Sequence, residues 1–290
     1  MGLLLGVFLH SIHNVYCCLS NVNFVIINVK KLKEVMTMKI LVTGASGTIG
    51  QVMMNAIKAN NNEAIAFDRN AVDINDKNAV EKHLNTLKPD MIYHLAKSSL
   101  QFTEILGAWA YINKVKLIYT SSFKVFSGKK VEGPYSIFDE PDGTDSFAKD
   151  KIAQERALFE YYPYTYVVRL AWQIAQEPKG HNFLTFVKDQ IDKRGMYHAP
   201  KKHLISFMFI EDTVQYLLNL TKQYPSGLYH LNGNEFYSVY DVLMNLKEKY
   251  GHDWLVFDDK KRYQKNDTME SNIDTKTFSD YGFKFYSKSD

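Results

Sequence analysis

The stretch Lys39-Ile-Leu-Val-Thr-Gly-Ala-Ser-Gly-Thr-Ile-Gly50 restricts the folds open to this chain more than any other segment. An apolar run, Ile40 to Val42, leads into Gly44, Gly47 and Gly50, and an amphipathic segment begins at Thr48. That order spells a strand, a tight turn and a helix N-terminus. The turn needs a residue without Cβ, a further glycine lets backbone approach a pyrophosphate, and a third lets the helix pack near the strand. First-turn N–H groups then face the phosphates, and the helix dipole favours their charge. A second apolar run, Ala64 to Phe67, ends in Asp68, twenty-four residues after Gly44. A carboxylate at that distance is placed to accept a ribose 2′-hydroxyl. The reading is a dinucleotide site that uses Gly44, Ser46, Gly47, Thr48, Ile49, Gly50 and Asp68. Asp68 favours NAD, while the guanidinium of Arg69 suits a 2′-phosphate and keeps NADP open.

From Met38 onward strand and helix patterns alternate, which predicts an α/β fold: a Rossmann-type doubly wound parallel sheet with helices on both faces. Helices are expected over about 48–59, from Asp76 through Val80, Leu84 and Leu87, and over about 100–112 and 146–160. Strands are expected at Met91 to His94, Lys116 to Thr120 and Tyr164 to Arg169. After Arg169 the alternation loosens, with Pro178, Gly180, Gly195 and Pro200 as punctuation. A looser C-terminal part often covers a ligand at the carboxyl ends of the strands. The predicted organisation is an N-terminal extension (1–37) outside the fold, a dinucleotide-binding domain (38–170) and a mostly substrate-binding part (171–290). About 203–222 of that last part is expected to return to the main sheet, and Gly227 to Leu231 reads as a strand and Val239 to Lys249 as a helix.

Composition narrows the function classes. The net charge of +3 over 290 residues, with acids and lysines interspersed, gives no nucleic-acid footprint. The only cysteines, Cys17 and Cys18, are adjacent, so no disulfide framework or cysteine zinc site is expected and a reducing cytoplasm fits. Leu3 to Leu9 is apolar but too short to span a bilayer, and a membrane location is not expected. Nine histidines are scattered without metal-ligand spacing, so no metal site is expected. His94 reads as a satisfied core residue, whereas His181, His198, His203 and His230 lie where substrate contact is open.

Further motifs bring in a family. Pro89-Asp-Met-Ile-Tyr-His-Leu-Ala96, Ser121-Ser122-Phe-Lys-Val-Phe126 with Gly128, Pro134-Tyr135, Lys151 with Glu155, Arg169 before Trp172, Phe209-Ile-Glu-Asp212 and Gly227-Leu-Tyr-His-Leu-Asn-Gly233 follow the glycine turn in order. Together they resemble the extended short-chain dehydrogenases, and within them the dTDP-4-dehydrorhamnose reductase group. The resemblance runs from Met38 almost to the C-terminus. It implies hydride transfer between a nicotinamide and a carbon of a nucleotide-linked sugar, and many relatives form homodimers. It places Ser122 at the hydroxyl that hydrogen-bonds the carbonyl and Lys151 at the lysine that holds the nicotinamide ribose. It also sets Asp73 and Ile74 near the adenine, with Leu95, Ala96 and Lys97 along the cofactor crevice.

Two departures stand out. The family's tyrosine acid lies four residues before the lysine, and here that position is Phe147, which has no proton to give. The family's extra loop between Ala96 and Leu106 is missing, and Ser99 or a neighbour stands where its asparagine would be. Two functions stay open: a sugar-nucleotide oxidoreductase with an atypical active site, or a dinucleotide-binding or regulatory protein that has lost turnover.

Overall fold

The computed structural model describes residues 6–9, 14–19, 23–28, 37–130, 134–175, 180, 182–233, 237–258, 265–277 and 279–286; for the first three segments it describes backbone alone. The expectations for the Cys17 and Cys18 side chains, for Pro178 and for His181 lie outside this description.

Strands β1 (Gly6–Leu9), β2 (Asn14–Leu19) and β3 (Asn23–Asn28) form an antiparallel sheet of their own. The main sheet begins at β4 (Lys39–Thr43), followed by α1 (Thr48–Ala59), β5 (Glu63–Ala66), α2 (Lys77–Leu87) and β6 (Met91–His94). Next come α3 (Leu100–Ile112), β7 (Lys116–Ser122), α4 (Ser146–Tyr161) and β8 (Thr165–Leu170). The predicted helices and strands of this half appear within two residues of their expected ends. Each has a local cause. Asp76 accepts hydrogen bonds from the N–H groups of Asn78 and Ala79 and starts α2, while Val80 and Leu84 form its buried stripe.

Beyond β8 lie β9 (Trp172–Ile174), α5 (Phe183–Arg194), β10 (Tyr197–Ala199), β11 (His203–Ile205) and β12 (Phe207–Phe209). They are followed by α6 (Ile210–Gln223), β13 (Gly227–Leu231), β14 (Tyr237–Ser238), α7 (Val239–Tyr250), β15 (Val256–Asp258) and β16 (Lys265–Asp267).

Six parallel strands run in the order β13-β8-β7-β6-β4-β5. Alternate residues of each strand face opposite sides. Ile40, Val42, Tyr93 and Ile118 pack with Met53 and Ile57 of α1 and Val214 and Leu217 of α6. Leu41, Ile92, Leu117 and Tyr119 pack with α2, α3 and Leu158 of α4. The sheet is therefore doubly wound, as the alternation predicts. Of the expected 203–222, the part that packs on the main core begins at Met208. β11 and β12 pair with β14, β16 and β9 in small sheets, while Met208 and then α6 pack on the main core, where β13 supplies the edge strand. A separate core of Ile174, Phe183, Val187, Phe207, Val242 and Leu246 holds the small sheets together.

The chain leaves β4 toward β5 on one side and then crosses to β6 on the other. In such sheets that reversal opens a crevice at the carboxyl ends of the two strands.

Candidate functional site

The glycine turn sits at this reversal. Gly44 has φ +72, and a Cβ built on it would lie 2.9 Å from the backbone of Ala96. A Cβ on Gly50 would lie 2.0 Å from the Gly44 carbonyl oxygen, and the Gly47 N–H donates to that same oxygen at 2.9 Å. The turn is closed by contacts that exclude side chains. Gly47 is the N-cap of α1, and no side chain caps that helix end. The Ser46 carbonyl accepts from Gln51 Nε2, and Thr48 and Ile49 are half-buried at the start of the helix. Gly180 closes on this turn from the C-terminal half: a Cβ there would lie 2.8 Å from Thr48 Oγ1.

Strand register aligns the neighbours. Val42 pairs with Ala66, Thr43 with His94 and His94 with Tyr119. Continued one or two steps, this sets Asp68, Gly44, Leu95 and Thr120 in a row across four strand ends. Asp68 is exposed, with Oδ1 accepting from the Asn70 N–H, and Arg69 is exposed beside it. Asp73 likewise accepts from the Asn75 N–H, and Ile74 packs against the core. Leu95 and Ala96 are half-buried and Lys97 is exposed. Both Leu95 and Ala96 are tied to Thr43, by its carbonyl oxygen and its Oγ1.

Below the turn, His94 is fully buried and hydrogen-bonded on both ring nitrogens: Nδ1 with Thr43 Oγ1 at 2.7 Å, Nε2 with Ser98 and Thr103. Burial first, and then the nearby Lys151 charge, lower its pKa to about 3, so the ring is neutral. It is a structural histidine, as expected.

Lys151 projects from α4 into the row. Its Nζ donates to the Thr120 carbonyl oxygen at 2.9 Å and lies 4.5 Å from the Tyr119 ring centroid. Burial lowers its pKa to about 8, opposed by the carboxylates of Glu155 and Asp150. Ser122 ends β7 two residues past Thr120, is half-buried, and accepts from the Lys124 N–H at 3.2 Å. Phe147 occupies the first turn of α4, which Asp145 caps through the Ala148 N–H. Two ammonium groups approach its ring, Lys124 Nζ at 5.9 Å and Lys151 Nζ at 6.0 Å from the centroid. Ser99 caps α3 through the Phe102 N–H.

One turn past Lys151, Glu155 is held by Arg169 through Nε and Nη2, the shortest contact being 2.7 Å. Arg169 Nη1 donates to His230 Nε2 at 3.2 Å, so the proton of that neutral ring sits on Nδ1 and faces the Glu270 carbonyl. This chain of contacts ties the lysine helix to β8 and β13. Sequence reasoning missed Tyr119, Thr120 and Gln154. The Tyr119 hydroxyl donates to Gln154 Oε1 at 2.5 Å, and Gln154 Nε2 donates to the Ser98 carbonyl. The spacing of Gln154 three residues after Lys151, on the same helix face, is the signal that could have found it.

A family model described as the RmlD substrate binding domain matches residues 38–99 and 98–254. The chain belongs to the RmlD family. A dTDP-4-dehydrorhamnose reductase of Mycolicibacterium smegmatis is 26% identical over 155 residues, covering 48% of this chain and 47% of that enzyme. The chain thus spans about half the length of that relative. One from Aggregatibacter actinomycetemcomitans is 24% identical over 228 residues, covering 70% of this chain and 76% of that enzyme. Among solved structures, a Bacillus anthracis dTDP-4-dehydrorhamnose reductase in complex with NADP superimposes with a TM-score of 0.72 at 18% identity, covering 86% of this chain and 94% of that one. At that identity the likeness speaks for the fold. Among the described residues of this RmlD family member, no helix is long and apolar enough to cross a membrane, and no three His, Cys, Asp or Glu groups gather as metal ligands.

Proposed function

We propose that the chain is an NAD(P)-dependent oxidoreductase of the sugar-nucleotide reductase and epimerase type, acting on a nucleotide-linked 4-keto sugar. The observation that carries this reading is the convergence of the glycine turn, Ala96 and the Lys151 ammonium at adjoining strand ends. The cradle suits a dinucleotide because Gly44 and Gly50 let the turn close where a Cβ would meet backbone, and the helix end above it is uncapped by side chains.

In this reading residues 44–50 hold the pyrophosphate, Asp68 accepts a ribose 2′-hydroxyl or Arg69 meets a 2′-phosphate, and Asp73 and Ile74 flank the adenine. Leu95, Ala96 and Lys97 line the opposite wall. A bound nicotinamide supplies the hydride. Lys151 holds the nicotinamide ribose through its ammonium, and Ser122 donates a hydrogen bond to the substrate carbonyl oxygen. Phe147 supplies no proton, so water or a neighbouring side chain must do so. Residues 38–170 would carry the cofactor and most of 171–290 the sugar.

Phe147 supports a second reading, a dinucleotide-binding or regulatory protein of the same fold without turnover. Wild type and Phe147→Tyr, assayed for NAD(P)H oxidation across nucleotide-linked 4-keto sugars, separate the two. Wild-type turnover at ordinary rates sinks the binding-only reading. Silence from wild type, with activity gained by the variant, sinks the enzyme reading.

A further inference from the structure

A cavity of 280 Å³ is lined by Phe123 and Lys124, the two residues that follow Ser122 in the chain. Its walls come from the residues after Ser122, the loop leading into α4, Trp172 after β8, and β16. Its volume lies at the lower end for small-molecule clefts, on the scale of one sugar ring rather than a whole nucleotide sugar. Three lysines line it, Lys124, Lys129 and Lys265, with two acids, Asp145 and Asp267.

Both acids are already engaged. Asp145 caps α4, and Asp267 is buried between His203 Nε2 and Lys265 Nζ, each 2.7 Å away. Neither Lys124 nor Lys129 has an acidic partner among the described residues. The Trp172 indole, stacked on Phe123, presents a buried Nε1–H that finds no acceptor among those residues. The cavity therefore holds surplus positive charge and a donor in want of an acceptor, and its Lys124 donates its backbone N–H to Ser122 Oγ, the hydroxyl proposed to meet the sugar carbonyl.

We propose that this cavity selects a sugar bearing its own carboxylate, a uronate, with Lys124 as the residue that determines the preference. The inference rests on the sugar-nucleotide reading for the way the ligand enters, but the cavity's charge stands on its own geometry. Lys124 fits the role because it lines the cavity, is exposed, and has its ammonium 5.9 Å from the Phe147 ring centroid, to which Lys151 Nζ is 6.0 Å. A carboxylate there forms charge-assisted hydrogen bonds that a hydroxymethyl group cannot match.

The test uses the intact chain, as wild type and as Lys124→Gln, an exposed position whose change spares the core. Calorimetry measures UDP- and dTDP-linked glucuronate against the corresponding glucose compounds. Ligand-observed NMR measures methyl glucuronide against methyl glucoside. The expected result is about tenfold tighter binding of the acid form to wild type, lost in Lys124→Gln, with the neutral form unchanged. Equal affinity for acid and neutral forms, or a preference that survives Lys124→Gln, overturns the proposal and leaves the sugar-nucleotide reading standing. Methyl glucuronide bound through Lys124 while no nucleotide sugar binds supports the cavity's assignment and overturns that reading. Binding of none of these ligands overturns both.

Discussion

Lys151 donates a 2.9 Å hydrogen bond to the carbonyl oxygen of Thr120, two residues before Ser122. This contact pins a buried ammonium beside the strand end where the cofactor and the sugar are proposed to meet, and the charge is costly to hold there. The folded pKa of about 8 lies below the ordinary 10.5. Between those values the unfolded chain binds more protons than the folded one, so this group makes stability rise with pH across that window. Below about 8 the cost is fully present, on the order of 3 kcal/mol. Lys151→Met is therefore expected to raise the Tm at neutral pH while weakening dinucleotide binding, read by thermal melts and calorimetry on the same samples. A lower Tm would show that the Thr120 contact outweighs the burial of charge.

Phe147→Tyr adds a hydroxyl on the α4 face that carries Lys151. If the missing acid limits turnover, NAD(P)H oxidation with a 4-keto sugar nucleotide should rise by about 10²–10⁴-fold. An unchanged rate would place the proton donor elsewhere.

Glu155 and Arg169 form a buried pair, so removing one partner strands the other's charge. Glu155→Gln should cost about 3–5 kcal/mol in denaturant unfolding. It should also lower the Lys151 pKa further, because Glu155 is the foremost group raising it. The double change Glu155→Leu with Arg169→Met should recover most of the lost stability, since the Arg169 charge is no longer left unpaired. A single variant as stable as wild type would contradict the paired geometry.

How much of this was readable before the structure depends on chain separation. In the first half α2, α3 and α4 each begin at a capping side chain, Asp76, Ser99 and Asp145, and α1 begins at the glycine turn, so their limits follow from local chemistry. The alignment of Gly44 with Asp68 was legible because both follow neighbouring strands, β4 and β5. The small sheets were not. β9, β11 and β12 are three residues long and pair with distant segments, too short for any periodicity to show. The contacts of His203 with Asp267, of Gly180 with Thr48 and of Arg169 with His230 join residues that only tertiary packing brings together.

Two glycines separate crowding from backbone strain. Gly195 has φ +74 but open space around it, so Gly195→Ala should cost only about 1 kcal/mol and leave ligand binding unchanged. Gly50→Ala drives a methyl into the Gly44 carbonyl and must open the turn. Calorimetry should show dinucleotide binding abolished in Gly50→Ala and preserved in Gly195→Ala. Binding retained by Gly50→Ala would mean that the phosphates lie elsewhere.

Titration of the wild-type chain with NAD and with NADP by calorimetry addresses the premise on which both functional readings depend. At least one of the two should bind at a single site per chain, with affinity falling as pH rises through about 8 and Lys151 loses its proton. If neither dinucleotide binds, the glycine turn is not a cofactor site and both readings are wrong.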